Sequence, residues 1–481
     1  MTAAALHSDV LIIGAGSAGS VVASRLSLDP SRSVTVLEAG LGLTDPRLRA
    51  ETDNGLRLPI GAASPLVQRY QTRLTDRPAR QMAIMRGATV GGSGAVNGGY
   101  FCRGLPRDFD GFGIPGWAWS DVVDHFRAIE TDLDFSGPAH GDSGPILIRR
   151  THEIVGSTAT FVEATRRCGF GWLPDLNDAS GADGLPSGVG AIPLNIVDGT
   201  RIGPGAAYLL PALERANLSL LTQTRALRLR IADGRATGVD ALGPGGPITL
   251  TADRIVLSAG AIESAHLLML SGIGDEAMLR AAGVNPLIPL PVGMGCRDHP
   301  EWVLPTTWTV EPGRPVLEVV LSTPEDIEIR PYTGGFVAMV GDGTAGHPDW
   351  PHLGVALMRP RARGRITLVS ADPMVPPVIE HHYDSEPADI AALQAGCDLA
   401  REIAGPTTEV GEPAWSTSQH LCGTAPMGDA RDPAAVVDHQ CRVHGVDGLW
   451  VVDGSVLPTI TSRGPHATIA MLGHRAAEFV G

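Results

Sequence analysis

The chain contains no lysine: all 37 of its Lys-plus-Arg side chains are arginine. Schiff-base chemistry and a lysine general base are therefore excluded. Aromatic residues make up only 5% of the sequence, which leaves few rings for an aromatic cage around a quaternary ammonium. The six cysteines (Cys102, Cys168, Cys296, Cys397, Cys422 and Cys441) form no C-x-x-C pair. Neither a disulfide framework nor a zinc site is suggested, and they read as small buried apolar residues. No run approaches the roughly 20 apolar residues that a membrane helix requires. Residues 1–9 lack a charged region followed by a long apolar segment, so no secretory signal is visible and a cytoplasmic location is expected. Positive charge is also short, with a net charge of -15, which argues against a nucleic-acid partner. No internal repeat is visible.

What is present suits a folded enzyme of two domains. The 481 residues are 43% hydrophobic and 19% charged, enough for an extensive core. Near the start, the apolar run 10–13 precedes Gly14-Ala15-Gly16-Ser17-Ala18-Gly19, and 20–28 keeps Val21, Val22 and Leu26 on one helical face. That order is strand, tight turn, helix. Gly14 permits the turn, Gly16 lets backbone approach a pyrophosphate, and Gly19 lets helix pack on strand, so a diphosphate meets the polarised N–H groups of a helix start. A second apolar run, 34–37, ends in Glu38, a carboxylate placed to accept both ribose hydroxyls and to disfavour a 2'-phosphate. These residues predict a dinucleotide and leave FAD or NAD open.

The stretch 86–99, RGATVGGSGAVNGG, followed by Tyr100, Arg103 and Gly104, resembles the signature of the glucose-methanol-choline (GMC) oxidoreductase family. The resemblance continues in family order through 260–274 (GAIESAHLLMLSGIG), 290–300 (LPVGMGCRDHP), 363–373 (RGRITLVSADP), 420–428 (HLCGTAPMG) and 448–458 (GLWVVDGSVLP). Gly94 stands where relatives usually carry serine, and Ala265 replaces a usual proline. The resemblance implies FAD as cofactor and an α/β (α+β) fold. A Rossmann-like FAD-binding domain is expected over 1–145, 200–298 and 418–481, with a substrate domain on an antiparallel sheet over 146–199 and 299–417. It places Gly14, Gly16, Ser17, Ala18, Gly19, Glu38, Ala39, Arg86, Gly91, Gly92, Ser93, Asn97, Gly98, Gly99, Ala226, Ala259, Gly260, Asp453, His466 and Ala467 at the cofactor. Asp453 can equally cap the turn that follows it. In some relatives a loop histidine is bonded to the flavin; the matching position is Val96, so non-covalent FAD is expected.

Oxidising a carbinol needs a base for the hydroxyl proton as hydride leaves carbon, and histidine suits this with a reference pKa of about 6.5. By resemblance His420, in H-x-x-G-T, is that base, and His466, in Gly464-Pro465-His466-Ala467, holds the substrate oxygen. Outside such motifs a histidine is expected to be structural, which covers His299, His381, His382, His439, His444 and His474. Trp117, Trp119, Trp172, Trp302 and Trp415 are candidate pocket aromatics. Arg361, Arg363 and Arg365 read as a solvated strand face. The prolines at 373, 376 and 377 and the loop 341–351 mark irregular connections. No metal is needed.

Within the family, 91–103 and 126–140 are similar to the dehydrogenase associated with mycofactocin, a peptide-derived redox cofactor. That similarity implies reoxidation of reduced mycofactocin, with electrons passed to a respiratory acceptor through peripheral contact at the inner membrane face. The alternatives are a conventional alcohol or choline-like dehydrogenase or oxidase, and a redox-silent FAD lyase.

Overall fold

Four consecutive apolar residues at 10–13 are explained by burial on both faces. The computed structural model, which describes residues 6–178, 185–341 and 349–481, pairs strand Leu6–Ile13 in parallel with Val34–Leu37 on one side and Gly246–Leu257 on the other. Such interior parallel strands carry no polar alternation. Leu218–Leu221 and Leu449–Val451 extend the parallel set, and Arg225–Ala232 and Arg235–Gly243 complete seven strands as an antiparallel edge. Helices Ser17–Leu26 and His466–Val480 pack together within the same core. They approach closely because Gly473 has no side chain: a Cβ there would lie 2.7 Å from the Ala18 carbonyl oxygen. The final helix thus delivers His466 from its first position.

A second seven-stranded sheet runs, in spatial order, Ala414–Thr417, Pro300–Pro305, His352–Leu357, Ile327–Pro331, Val319–Ser322, Gly188–Ala191 and Trp172–Leu173. Every pairing is antiparallel except the last, so the antiparallel sheet expected on the substrate side is present. Helices Gly156–Arg167 and Pro387–Ala404 cover one face through Phe161, Leu393 and Ile403. A five-stranded sheet, ordered Met294–Cys296, Gly364–Thr367, Val378–Glu380, Val67–Asp76 and Ala79–Gly87, draws strands from both expected sets of segments. The prolines at 373, 376 and 377 lie between two of its strands, while the expected loop 341–351 falls largely outside the described residues. No helix among the described residues is long and apolar enough to cross a membrane.

The signature residue Arg103 is 2% exposed and pairs with the fully buried Glu130. Beside it, Arg150 pairs with Asp132 and Asp175, and His140 bridges the same two carboxylates at 3.1 and 2.9 Å. Glu130, Asp132 and His140 offer donor atoms within 4.8 Å of one another, as metal ligands would, but guanidinium groups already occupy both carboxylates. Hydrogen bonds to Asp132 and then Asp175 push His140 up to about 9. A raised folded pKa means stability fully present below the unfolded value of about 6.5 and lost as pH rises through 9. Denaturant unfolding should therefore show a loss on the order of 2–3 kcal/mol between pH 7 and 9.5. His140→Gln should flatten that window, and an equally steep loss in the variant would assign the slope to another group.

Candidate active site

The glycine turn, the signature loop and both late histidines meet on one cavity of about 430 Å³, within the usual range for ligand pockets. Gly14, Gly16, Ser17, Ala18, Glu38, Ala39, Arg86, Gly92, Ser93, Asn97, Gly98, Ala226, Ala259, Gly260, Asp453, His420 and His466 line it. Gly19, Gly91, Gly99 and Ala467 stand behind the wall. Gly19 lets the first helix close on its strand, since a Cβ there would sit 2.1 Å from the Gly14 oxygen. Gly91, at φ 91°, donates its N–H to Ala15 and ties the signature loop to the glycine turn. Gly99, at φ 76°, donates to the Asn97 side chain, and Ala467 is fully buried.

The residues fit a dinucleotide. Helix Ser17–Leu26 begins at the cavity with no side-chain cap, so its first N–H groups remain for an anion. Glu38 accepts from the backbone N–H of Ala15 and Gly40 at 3.0 and 2.8 Å and keeps lone pairs for hydroxyl donors. Burial pushes it up to about 7 against those two hydrogen bonds. Asp453 is both wall and cap: it accepts from the Ser455 and Gly260 N–H groups at 2.8 and 2.9 Å and from the Ser264 hydroxyl at 2.6 Å. Val96, the position where some relatives carry the bonded histidine, also lines the cavity.

Hydrogen bonds fix opposite proton states on the two histidines. Asn97 Oδ1 accepts the Gly99 N–H, so its amide nitrogen is the group that donates to His466 Nδ1 at 3.0 Å. Neutral His466 therefore carries its proton on Nε2, which is buried and without a partner among the described residues. On the other side, His299 Nε2 must donate to the Thr461 carbonyl at 3.0 Å, which leaves His299 Nδ1 to accept from His420 Nδ1 at 2.9 Å. His420 Nε2 is then an unprotonated lone pair. One ring offers a donor to the cavity and the other an acceptor, as abstraction of a hydroxyl proton and retention of the oxygen require.

Burial, followed by His299, Arg330 and Arg86, holds His420 well below the ordinary histidine range. Burial also pushes His299 and His466 to about 4. Because the working base is the neutral form, a lowered pKa extends activity towards acid. The second-order rate of flavin reduction should stay flat from pH 8 to below 6.5. A titration near pH 7 that persists in Glu38→Gln would place the base elsewhere.

Several residues here went unanticipated. His299, expected to be structural, is buried and satisfied, yet its partner is His420. Asp298 accepts the His420 backbone N–H at 2.7 Å and the Thr417 hydroxyl at 2.8 Å, and so clamps that segment. Arg201 is 2% exposed and has no carboxylate partner among the described residues; it donates to the carbonyls of Thr52, Arg57, Ala95 and Asn97 and holds the signature loop in place. Tyr70, Arg225 and Glu263 form a hydrogen-bonded trio on the wall. The five candidate tryptophans are not among the lining residues. Trp117 packs on Phe479, Trp119 on Phe109 and Phe126, Trp302 on Trp415, and Trp172 lies against the second core. Arg361, Arg363 and Arg365 are exposed.

A nucleotide fold carrying a donor–acceptor histidine pair beside a glycine-lined cavity defines an oxidoreductase of flavoprotein type. The GMC oxidoreductase family models match residues 8–301 and 360–473, and the chain belongs to that family. It is 39% identical over 500 residues to a GMC-type oxidoreductase of Rhodococcus erythropolis, covering 98% of each chain. It is 32% identical over 543 residues to an oxygen-dependent choline dehydrogenase of Sinorhizobium fredii, covering 99% of this chain and 96% of the relative. Among solved structures it is similar to pyridoxine 4-oxidase from Mesorbium loti, with TM-score 0.88, 29% identity and 98% of each chain covered.

Proposed function

We propose that the protein oxidises a CH–OH group with non-covalent FAD, acting as a dehydrogenase. The observation that carries this reading is the opposed proton state of His420 and His466 at one cavity. The bound flavin would supply hydride acceptance at N5. His420 takes the hydroxyl proton on Nε2, and the His466 Nε2–H holds the oxygen. His299 keeps the His420 ring in the required tautomer, and Arg330 and Arg86 disfavour its premature protonation. The chain divides, on this reading, into a cofactor-binding unit of 1–145, 200–298 and 418–481 and a substrate unit of 146–199 and 299–417.

For the physiological reductant we propose reduced mycofactocin, with a respiratory acceptor downstream at the cytoplasmic face of the membrane. Support comes from the similarity of 91–103, of which Gly92 to Gly94, Val96 to Gly98 and Tyr100 line the cavity. The other similar stretch, 126–140, builds the buried Arg103–Glu130 cluster and none of it lines the cavity, so it bears on scaffold rather than substrate. The choline dehydrogenase and pyridoxine oxidase names among the relatives keep a conventional alcohol as the second reading.

An anaerobic absorbance titration separates these. Bleaching by reduced mycofactocin in clear preference to simple alcohols is the expected outcome. Bleaching by a simple alcohol alone would retire the mycofactocin assignment and leave a conventional alcohol oxidoreductase. Conversion of a cyanohydrin with no change in the flavin spectrum would identify a lyase. Denaturation with acid should release all the FAD into the supernatant; flavin retained on the precipitate would show a covalent bond.

A further inference from the structure

Beside His420 the cavity wall is made by Tyr100, Arg330, Tyr332 and Ser418. Behind this layer lie two carboxylates, Glu301 and Glu328, 1% and 0% exposed and absent from the lining. Glu328 accepts from the Tyr100 hydroxyl at 2.9 Å, from Arg330 at 2.7 and 3.0 Å and from Arg463 at 2.6 Å. Glu301 accepts from the Tyr332 hydroxyl at 2.9 Å, from Ser418 at 2.7 Å and from Arg330 at 3.3 Å. Two buried carboxylates and two buried guanidiniums leave this wall formally neutral, and of the four only Arg330 reaches the cavity.

The hydrogen-bond inventory then states what a ligand finds there. Arg330 spends its donors on Glu328, Glu301, Ser418 and the Met358 sulfur, so it has none left for an anion. Each phenol gives its only proton to a carboxylate, and what Tyr100 and Tyr332 keep for the cavity is an oxygen lone pair. A group that binds against the two phenols is therefore a donor, a hydroxyl or an N–H. A quaternary ammonium has no donor for those phenols, and this wall offers it the Arg330 guanidinium and no carboxylate. The Tyr100 ring lies near the base: the Cβ position of Gly464 is 3.1 Å from Tyr100 Cδ1 and 3.2 Å from His420 Cε1, and both residues line the cavity. Val316 and Leu317 supply the apolar part of the wall.

Resting on the alcohol-oxidising reading above, we propose that this end of the cavity selects an uncharged alcohol bearing a second hydrogen-bond donor, which Tyr100 and Tyr332 accept, and rejects trimethylammonium alcohols. A peptide-derived reductant with N–H groups falls inside this class.

Two matched pairs of probes test it by anaerobic stopped-flow reduction of the holoenzyme. Choline and 3,3-dimethylbutan-1-ol share a shape and differ in charge; benzyl alcohol and 4-hydroxybenzyl alcohol differ by one donor. The neutral isostere should exceed choline, and the hydroxylated ring the plain one, by at least about tenfold in second-order rate, since a site built for a hydroxyl discriminates against its absence. Tyr332→Phe combined with Tyr100→Phe should collapse the second ratio to about threefold or less, and equilibrium binding of phenol as a non-oxidisable probe should weaken in parallel. Choline reacting as fast as its isostere, or a hydroxyl preference that survives both substitutions, overturns the proposal and leaves the alcohol-oxidising reading standing. Bleaching by none of the four alcohols, with phenol binding unchanged in the double variant, overturns the proposal alone, and failure of reduced mycofactocin to bleach as well overturns the alcohol-oxidising reading with it.

Discussion

Replacing His420 by alanine is expected to slow flavin reduction by about 10²–10⁴-fold, equivalent to roughly 3–5 kcal/mol of barrier, with FAD still bound. Of the two histidines that line the cavity, His420 is the one with an unprotonated nitrogen presented to it, and that state is imposed by the chain His420 Nδ1, His299 Nδ1, His299 Nε2, Thr461 carbonyl. Truncation deletes the proton acceptor but touches neither the glycine turn nor Glu38, so cofactor affinity should hold. His466→Ala should behave differently, because its Nε2–H is a hydrogen-bond donor and not a base. It should slow reduction less and leave the pH profile unchanged, and His466→Asn should recover part of the loss through its own N–H. Stopped-flow reduction of the three variants with the same reductant makes the comparison. A rate for His420→Ala within threefold of wild type would remove His420 from proton abstraction.

The parts of this site that could be read from the sequence are those whose chemistry is local. Gly14, Gly16, Gly19 and Glu38 act within one strand–turn–helix–strand unit, and their spacing alone states the geometry. His420 and His466 were legible through motif context, and so was the antiparallel sheet on the substrate side, although its strands could not be bounded individually. What stayed hidden depends on pairings between distant positions. His299 is 121 residues from His420, and nothing around it distinguishes a ring that orients the base from a ring that fills a core. Arg201 has no local signal either, because its four acceptors are backbone carbonyls that any sequence supplies. The tryptophans mislead for a related reason: composition counts rings but does not say what each one packs against, and here they pack on other aromatic rings and on the second core. The Glu301–Arg330–Glu328–Arg463 network was invisible because each member alone reads as an ordinary charged residue, and only burial together gives the wall its neutrality.

Gly16→Val is expected to leave the apoprotein folded and to abolish useful FAD binding, raising the dissociation constant at least about 100-fold, or some 2.7 kcal/mol. The three glycines of the turn lack side chains for different reasons. Gly14 sits at φ 105° with a Cβ position 2.4 Å from the Ser258 oxygen, and a Cβ on Gly19 would lie 2.1 Å from the Gly14 oxygen; both are demanded by the protein itself. Gly16 is not, since its φ is -73° and its Cβ would make ordinary contacts of 3.7 Å with the Ser258 oxygen and 4.0 Å with Gly92 Cα. Nothing in the polypeptide requires glycine there, but the position lines the cavity at the helix start. Its missing side chain therefore serves whatever approaches those N–H groups, and a branched residue would stand where the diphosphate must lie. Thermal unfolding of the apoprotein should move by no more than about 2 °C for Gly16→Val, as for a tolerated surface change, whereas Gly14→Ala and Gly19→Ala should lower it by well over 5 °C through backbone clash. Wild-type FAD affinity in Gly16→Val, measured by flavin fluorescence, would place the diphosphate away from this turn and with it the cofactor orientation on which the histidine chemistry depends.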